Sequence, residues 1–289
     1  MYLDHFGLQE LPFSITPDTA FYFPFARYQT VLNTLLMSVS EGDGFIKVTG
    51  EVGTGKSLLC RKFLASLGDD YVTAYLPNPC MEPRAILQAL LEELGAGHPV
   101  SLDQHGLLSA LSHRLIALAA AGKRIVVCLD EAQSMSLESL EAIRLMSNLE
   151  TEKRKLLQVV LFGQPELDQK LALPGIRQLR QRIVFQEQLQ PMSRDEMPLY
   201  LHSRLEKAGY GGGELFTHSA LNRLYQASGG VPRLINLLAH KSMLLAYGKG
   251  EYLVDVQEVA DAVQDTPAAH QSWWDVLRGT WPHLHWRQS

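Results

Sequence analysis

The sequence predicts an α/β protein in which a parallel sheet lies between two layers of helices, three layers in all, with a separate helical lid following it. Three observations lead there. Ile125-Val126-Val127-Cys128-Leu129 and Leu157-Gln158-Val159-Val160-Leu161-Phe162 are mostly apolar instead of alternating, as strands buried on both faces must be. Between Phe45 and Phe185, strand-like runs alternate with segments of helical spacing, the pattern of repeated βαβ units. After Pro191 the strands stop and only helical patterns remain.

In chain order, residues 1–30 are rich in proline and aromatics (Pro12, Phe13, Pro17, Phe21, Tyr22, Phe23, Pro24, Phe25) and read as a packed, irregular entry segment with a turn at Thr16-Pro17-Asp18. Residues 31–190 form the expected core. Val31, Leu32, Leu35, Leu36 and Val39 mark a helix over 28–40, which Glu41-Gly42-Asp43-Gly44 ends. Strands are expected at 45–49, 71–76, 125–129, 157–162 and 183–185. Helices are expected at 56–66, 83–94, 107–121 and 137–149, with short helical pieces up to Gln181. Residues 191–267 form the lid, with helices over 193–208, 218–227, 232–247 and 256–263. Residues 268–289 form a tail that holds all four tryptophans, Trp273, Trp274, Trp281 and Trp286.

Composition narrows the class. The chain has 289 residues, 46% of them hydrophobic and 20% charged, with a net charge of −5. Those values exclude a disordered, collagenous or disulfide-stapled chain. The longest apolar stretch, Leu115–Ala121, falls far short of the ~20 residues that span a bilayer. Met1-Tyr2-Leu3-Asp4-His5-Phe6-Gly7 has neither a basic nor an apolar signal region. Cys60, Cys80 and Cys128 are an odd set without a CxxC spacing and read as reduced thiols. A cytoplasmic location is the expectation. Mild acidity counts against a dedicated nucleic-acid binder.

Gly50-Glu51-Val52-Gly53-Thr54-Gly55-Lys56-Ser57 matches G-x-x-x-x-G-K-[ST] between an expected strand and an expected helix, the context this phosphate loop requires. Glycines let successive N–H groups face the phosphates of a nucleotide, aided by the positive end of the following helix. Lys56 adds a point charge to the β- and γ-phosphate oxygens, and the Ser57 hydroxyl is a ligand for Mg²⁺. Leu58 completes the nucleotide-binding stretch.

Asp130-Glu131 follows the apolar 125–129 strand at the sheet edge where open parallel sheets bind ligands. There Asp130 is placed to hold Mg²⁺, and Glu131 to orient and deprotonate an attacking water. Gln164, in Phe162-Gly163-Gln164-Pro165-Glu166, ends the next strand and is a candidate contact for the γ-phosphate or the water; a turn glutamine before a proline is its plainer reading. Arg177, Arg180 and Arg182 cluster before the last strand. In a ring assembly an arginine there faces the neighbouring subunit's nucleotide. Arg182 is the favoured finger and Arg180 the next, with a solvated helix face or a patch for an acidic partner as the alternatives. Gly229-Gly230-Val231-Pro232-Arg233 opens a lid helix: the glycines allow a tight approach, Pro232 suits the first turn, and Arg233 is placed to reach back to the nucleotide, a surface arginine flanking the core being its plainer reading.

Phosphate loop, Asp-Glu pair, sensing amide, arginine before the last strand and Gly-x-Pro-Arg motif, in this order, resemble an AAA+ ATPase. Met1-Tyr2-Leu3-Asp4-His5-Phe6-Gly7-Leu8, Leu11-Pro12-Phe13, Thr16-Pro17-Asp18, Leu129-Asp130-Glu131-Ala132-Gln133 and Gly163-Gln164-Pro165-Glu166-Leu167 narrow the resemblance. They are similar to the general secretion pathway protein A (ExeA-like) family, including its short relative in mannose-sensitive haemagglutinin pilus biogenesis. The resemblance covers residues 1–267. It implies ATP and Mg²⁺ as ligands, a homo-oligomeric ring expected to be a hexamer, and a role in placing type IV pilus or type II secretion machinery at the inner membrane. Leu11-Pro12-Phe13 would lie near the adenine. Longer members continue through a transmembrane helix into a peptidoglycan-binding domain, so the short pilus-associated type is the expected match.

Two other functions stay in view. ATPases that select targets for DNA transposition share the Gly-x-Pro-Arg lid, but Lys153-Arg154-Lys155 and the Arg177–Arg182 run are small basic clusters for tracking phosphates. A nucleotide-gated binding module that hydrolyses slowly or not at all is the other. In the tail, Trp273, Leu277, Trp281 and Leu284 recur at helix-like intervals, which suits docking on a membrane interface or a partner; packing back on the chain itself is the alternative.

Overall fold

The computed structural model describes residues 2–42, 44–97, 102–147 and 155–269. Two compact units result among the described residues, one within 17–190 and the other joining 2–16 to 191–269.

The Pro17–Gln190 unit holds a five-stranded, all-parallel sheet. Its strands are β1 (Phe45–Gly50), β2 (Tyr71–Leu76), β3 (Arg124–Leu129), β4 (Gln158–Gly163) and β5 (Ile183–Leu189), in the order β2-β3-β4-β1-β5. Parallel neighbours need crossover connections, and helices supply them. α2 (Ala26–Glu41) and α3 (Lys56–Ser66) pack together and contact β5, β1 and β4, whereas α4 (Pro83–Glu93) and α5 (Gln104–Ala120) contact β2 and β3. α6 (Leu137–Met146), α7 (Glu166–Leu171) and the single turn α8 (Arg177–Arg180) complete the unit. On the α4/α5/α6 side, Phe45, Leu76, Ile125, Val127, Leu129, Val159 and Leu161 pack with Ile86, Leu87, Leu90, Leu111, Leu115, Leu140 and Ile143 in one apolar cluster.

β1 and β4 are buried at every residue, and β3 at all but Arg124. The apolar runs thus mark interior strands, as the predicted three-layer fold requires. β5 runs four residues past the expected end at Phe185, because Gln186-Glu187-Gln188 lie on an edge strand that alternates between half-buried and exposed positions. Local chemistry fixes the helix starts. Pro83 occupies the first turn of α4, Asp103 accepts the N–H of Gly106 at 2.8 Å, and Ser136 accepts that of Ser139 at 3.1 Å.

The second unit is helical: α1 (Tyr2–Phe6), α9 (Glu196–Lys207), α10 (His218–Ser228), α11 (Pro232–Lys249) and α12 (Val256–Gln264). Residues 1–30, expected as one irregular segment, are divided between the units. Residues up to Thr16 belong to the helical unit because their polar groups are satisfied there. The Tyr2 hydroxyl bonds His240 Nδ1 at 2.8 Å, Gln9 N–H donates to the Ala208 carbonyl at 2.8 Å, and the Arg204 guanidinium donates to the Pro12 carbonyl. Phe13 is buried edge-on to Phe216. Proline and aromatic content signals burial without saying against what.

Among the described residues no helix is long and apolar enough to cross a membrane. Cys60, Cys80 and Cys128 are free thiols. The tryptophans of the tail lie outside the described residues, as do Lys153 and Arg154 of the small basic cluster.

Gly229 and Gly230 both take positive φ, 57° and 78°. Gly229 caps α10 in the left-handed conformation, whereas a Cβ on Gly230 would stand 2.1 Å from the Met192 carbonyl oxygen. Met192 N–H in turn donates to Gly230 O at 2.9 Å. The close approach these glycines permit is therefore to the chain's own backbone. Gly230→Ala is expected to lower unfolding free energy by roughly 2–4 kcal/mol, against about 1 kcal/mol for Gly229→Ala; chemical denaturation of the two variants checks the ranking.

Candidate functional site

The C-terminal ends of β1, β3 and β4 bring together the phosphate loop, Asp130, Glu131 and Gln164. Gly50 closes β1, Glu51–Gly55 turn, and Lys56, Ser57 and Leu58 open α3. Gly53 and Gly55 have φ of 82° and 91°, values a side chain resists. A Cβ on Gly50 would meet Thr54 Oγ1 at 2.9 Å and Leu189 O at 3.0 Å. Thr54 Oγ1 donates to Glu51 O at 2.7 Å, and the Tyr28 hydroxyl donates to the Thr54 carbonyl. These bonds hold the turn from within and from beneath. Val52 is exposed at its tip.

Lys56 is buried, its ammonium donating to Gly50 O at 2.7 Å and Glu51 O at 2.9 Å. Burial lowers its pKa, and Glu131, Asp130, Glu51 and Glu166 pull it back up. Asp130 is only 2% exposed. Desolvation raises its pKa, countered by hydrogen bonds from the Ser57 hydroxyl and the Glu131 N–H, the latter 3.0 Å from Oδ1. The Tyr75 hydroxyl reaches Oδ2 at 3.4 Å. A buried cation and a buried anion thus sit at one sheet edge, each partly compensated by the other.

Glu131 is the one non-glycine residue of positive φ, 55°, among the described residues. That backbone costs about 1–2 kcal/mol and turns the carboxylate toward β4. Its Oε2 accepts from Gln133 Nε2 at 2.6 Å and from Gln164 Nε2 at 3.1 Å. Gln164 N–H donates to Gln133 Oε1 at 3.0 Å. Sequence reasoning did not pick out Gln133, Tyr28 or Tyr75 as site residues. Gln133 lies two positions beyond Glu131 in a 3-10 turn, a spacing no periodicity highlights.

The basic candidates are more dispersed. Arg182 donates to Ser147 Oγ at 2.7 Å, whereas Arg180 and Arg177 are exposed on α8. Arg233 is exposed as the second residue of α11 and belongs to the helical unit.

The site's residues fit a magnesium nucleotide. Ser57 and Asp130 supply a hydroxyl and a carboxylate, the hard oxygen donors Mg²⁺ prefers, and the buried Lys56 ammonium adds a positive charge for phosphate oxygens.

Residues 39–171 match the family model of an AAA domain. The chain has the AAA+ P-loop fold. It is 38% identical over 281 residues to the general secretion pathway protein A of Aeromonas hydrophila, a match covering 97% of this chain and 50% of that protein. The chain thus spans about half the length of the curated relative it matches. Among solved structures, Cdc6p from Pyrobaculum aerophilum aligns with a TM-score of 0.69 at 17% identity, over 91% of this chain and 74% of that one. The Aeropyrum pernix ORC2 protein, in ADPNP-ADP complexes, aligns at 0.59 and 18% identity, over 92% and 75%. At such identities the likeness is one of fold.

The raised pKa of Asp130 has a stability consequence in this AAA+ chain. A carboxyl that binds protons more tightly folded than unfolded costs stability once pH exceeds its unfolded pKa; the full cost is present above its folded pKa and vanishes in acid. Asp130→Asn is expected to raise Tm at neutral pH by about 2–4 °C and to lose the advantage at low pH, as thermal melts across pH check.

Proposed function

We propose that this AAA+ protein binds ATP with Mg²⁺ and hydrolyses it, and that turnover drives or times assembly of type IV pilus or type II secretion machinery at the inner membrane. One observation carries the chemistry: the Glu131 carboxylate, one residue beyond the buried Asp130, is oriented by two amides at the edge that also holds the phosphate loop.

In this reading the loop N–H groups and Lys56 receive the β- and γ-phosphates, with Lys56 exchanging its two carbonyl partners for phosphate oxygens. Ser57 and Asp130 would hold Mg²⁺, which when bound neutralises charge on the phosphate oxygens. Glu131 takes the proton of the water that attacks the γ-phosphorus; ADP and inorganic phosphate leave. Gln164 contacts the γ-phosphate or that water. A neighbouring subunit supplies Arg182, or Arg180, to the transition state, which requires a homo-oligomeric ring, a hexamer in this proposal. Arg233 brings the state of the nucleotide to the helical unit.

Similarity to the general secretion pathway protein A supports the secretion setting. In that setting the AAA+ protein works at the cytoplasmic side of the inner membrane, with residues 268–289 as its contact to membrane or partner.

Glu131→Gln is expected to lower ATP hydrolysis by roughly 10²–10⁴-fold with ATP binding retained; an unchanged rate overturns the assignment. Lys56→Ala and Arg182→Ala proteins, each inactive alone, are expected to recover part of the activity when mixed, since each supplies what the other lacks. No recovery would remove Arg182 from its role across the interface. Captured in ATP, the Glu131→Gln protein is expected to retain pilus or secretion assembly proteins that it releases in ADP.

A further inference from the structure

The Glu131 carboxylate is held by more than the strand that carries it. Gln133 bonds it through Nε2 at 2.6 Å and at the same time receives the Gln164 N–H on Oε1 at 3.0 Å. One side chain therefore spans the acid after β3 and the end of β4. The span is itself fixed. Lys170, from α7, donates to the carbonyls of Gln133 and Met135 at 2.6 and 2.5 Å. Gly163 leaves the room: a Cβ there would stand 3.2 Å from Gln133 Oε1 and 2.8 Å from Leu167 Cδ2.

We propose that Gln133 is the positioning residue for Glu131, coupling the aim of its carboxylate to the place of Gln164. The two amides converge on Oε2, which leaves Oε1 as the base. When the Gln164 amide turns away to a γ-phosphate, Gln133 still holds Oε2, and its Oε1 still holds the Gln164 backbone. The carboxylate then keeps its orientation at the moment it is needed, and a shift at the end of β4 is transmitted to the base through one side chain. A glutamate on a left-handed backbone with a free side chain would sample several rotamers, and misplacement of a reacting group by about 1 Å costs ~10²-fold in rate. This inference rests on the proposed hydrolysis.

Gln133→Met keeps the length and removes donor and acceptor; Gln133→Glu keeps the shape and places a like charge against Glu131. In the full-length protein both are expected to lower kcat about 10–100-fold, with KM for ATP, affinity for ADP and Tm within about twofold or 2 °C of the parent. Combining Gln133→Met with Gln164→Met is expected to cost at least threefold less than the product of the single losses, because both amides serve one oxygen. Unchanged kcat in Gln133→Met overturns the inference, as does a loss of ADP affinity or Tm that parallels the loss of kcat. The Glu131→Gln control separates the two claims: if its hydrolysis is unchanged, the functional reading itself fails, whereas a dead Glu131→Gln beside a fully active Gln133→Met removes only the positioning role.

Discussion

Everything in the site follows from β4 lying between β1 and β3. Parallel strands stand about 4.8 Å apart, so the backbones of β1 and β3 lie two strand spacings, about 10 Å, apart, and side chains that follow them meet across β4. There the Ser57 hydroxyl reaches Asp130, and Gln164, just past the end of β4, reaches Glu131. Were β3 directly beside β1, Asp130 and Lys56 would close on each other as an ion pair, and no amide would lie between the loop and Glu131.

Burial sharpens this arrangement. Lys56 and Asp130 are both withdrawn from water, and burial disfavours the charge of each. Isolated, either charge would be costly. Here the loop carbonyls compensate Lys56 in part, and the Ser57 hydroxyl and the Glu131 N–H compensate Asp130. The left-handed backbone of Glu131 stores a further cost in the same few residues, and the packed sheet beneath, with β1 and β4 buried throughout, holds it in place.

Much of this was legible in the sequence, and for identifiable reasons. The phosphate loop and the acid pair are contiguous, so their chemistry and their place at a strand end are read together, and 56–66 and 71–76 form the elements expected of them. Apolar runs fixed the interior strands. What escaped is relational. The polar 186–188 stretch of β5 resembles a loop because an edge strand needs only half its residues to be apolar. The first sixteen residues pack with helices almost two hundred positions away, which no local pattern encodes. Gly230 was legible as a close approach, but its partner, the Met192 backbone, was not. Gln133 belongs to the Leu129–Gln133 motif, yet its role is not legible there because its bonds run to two different strand ends.

The central claim is that the loop after β1 and the amide-held acid after β3 form one site across β4. Hydrogen exchange of the full chain, with and without a non-hydrolysable ATP analogue and Mg²⁺, tests it directly. The account predicts added protection both in Glu51–Ser57 and in the segments around Glu131–Gln133 and Gln164. Protection confined to the phosphate loop, with the Glu131 and Gln164 segments unchanged, would contradict it.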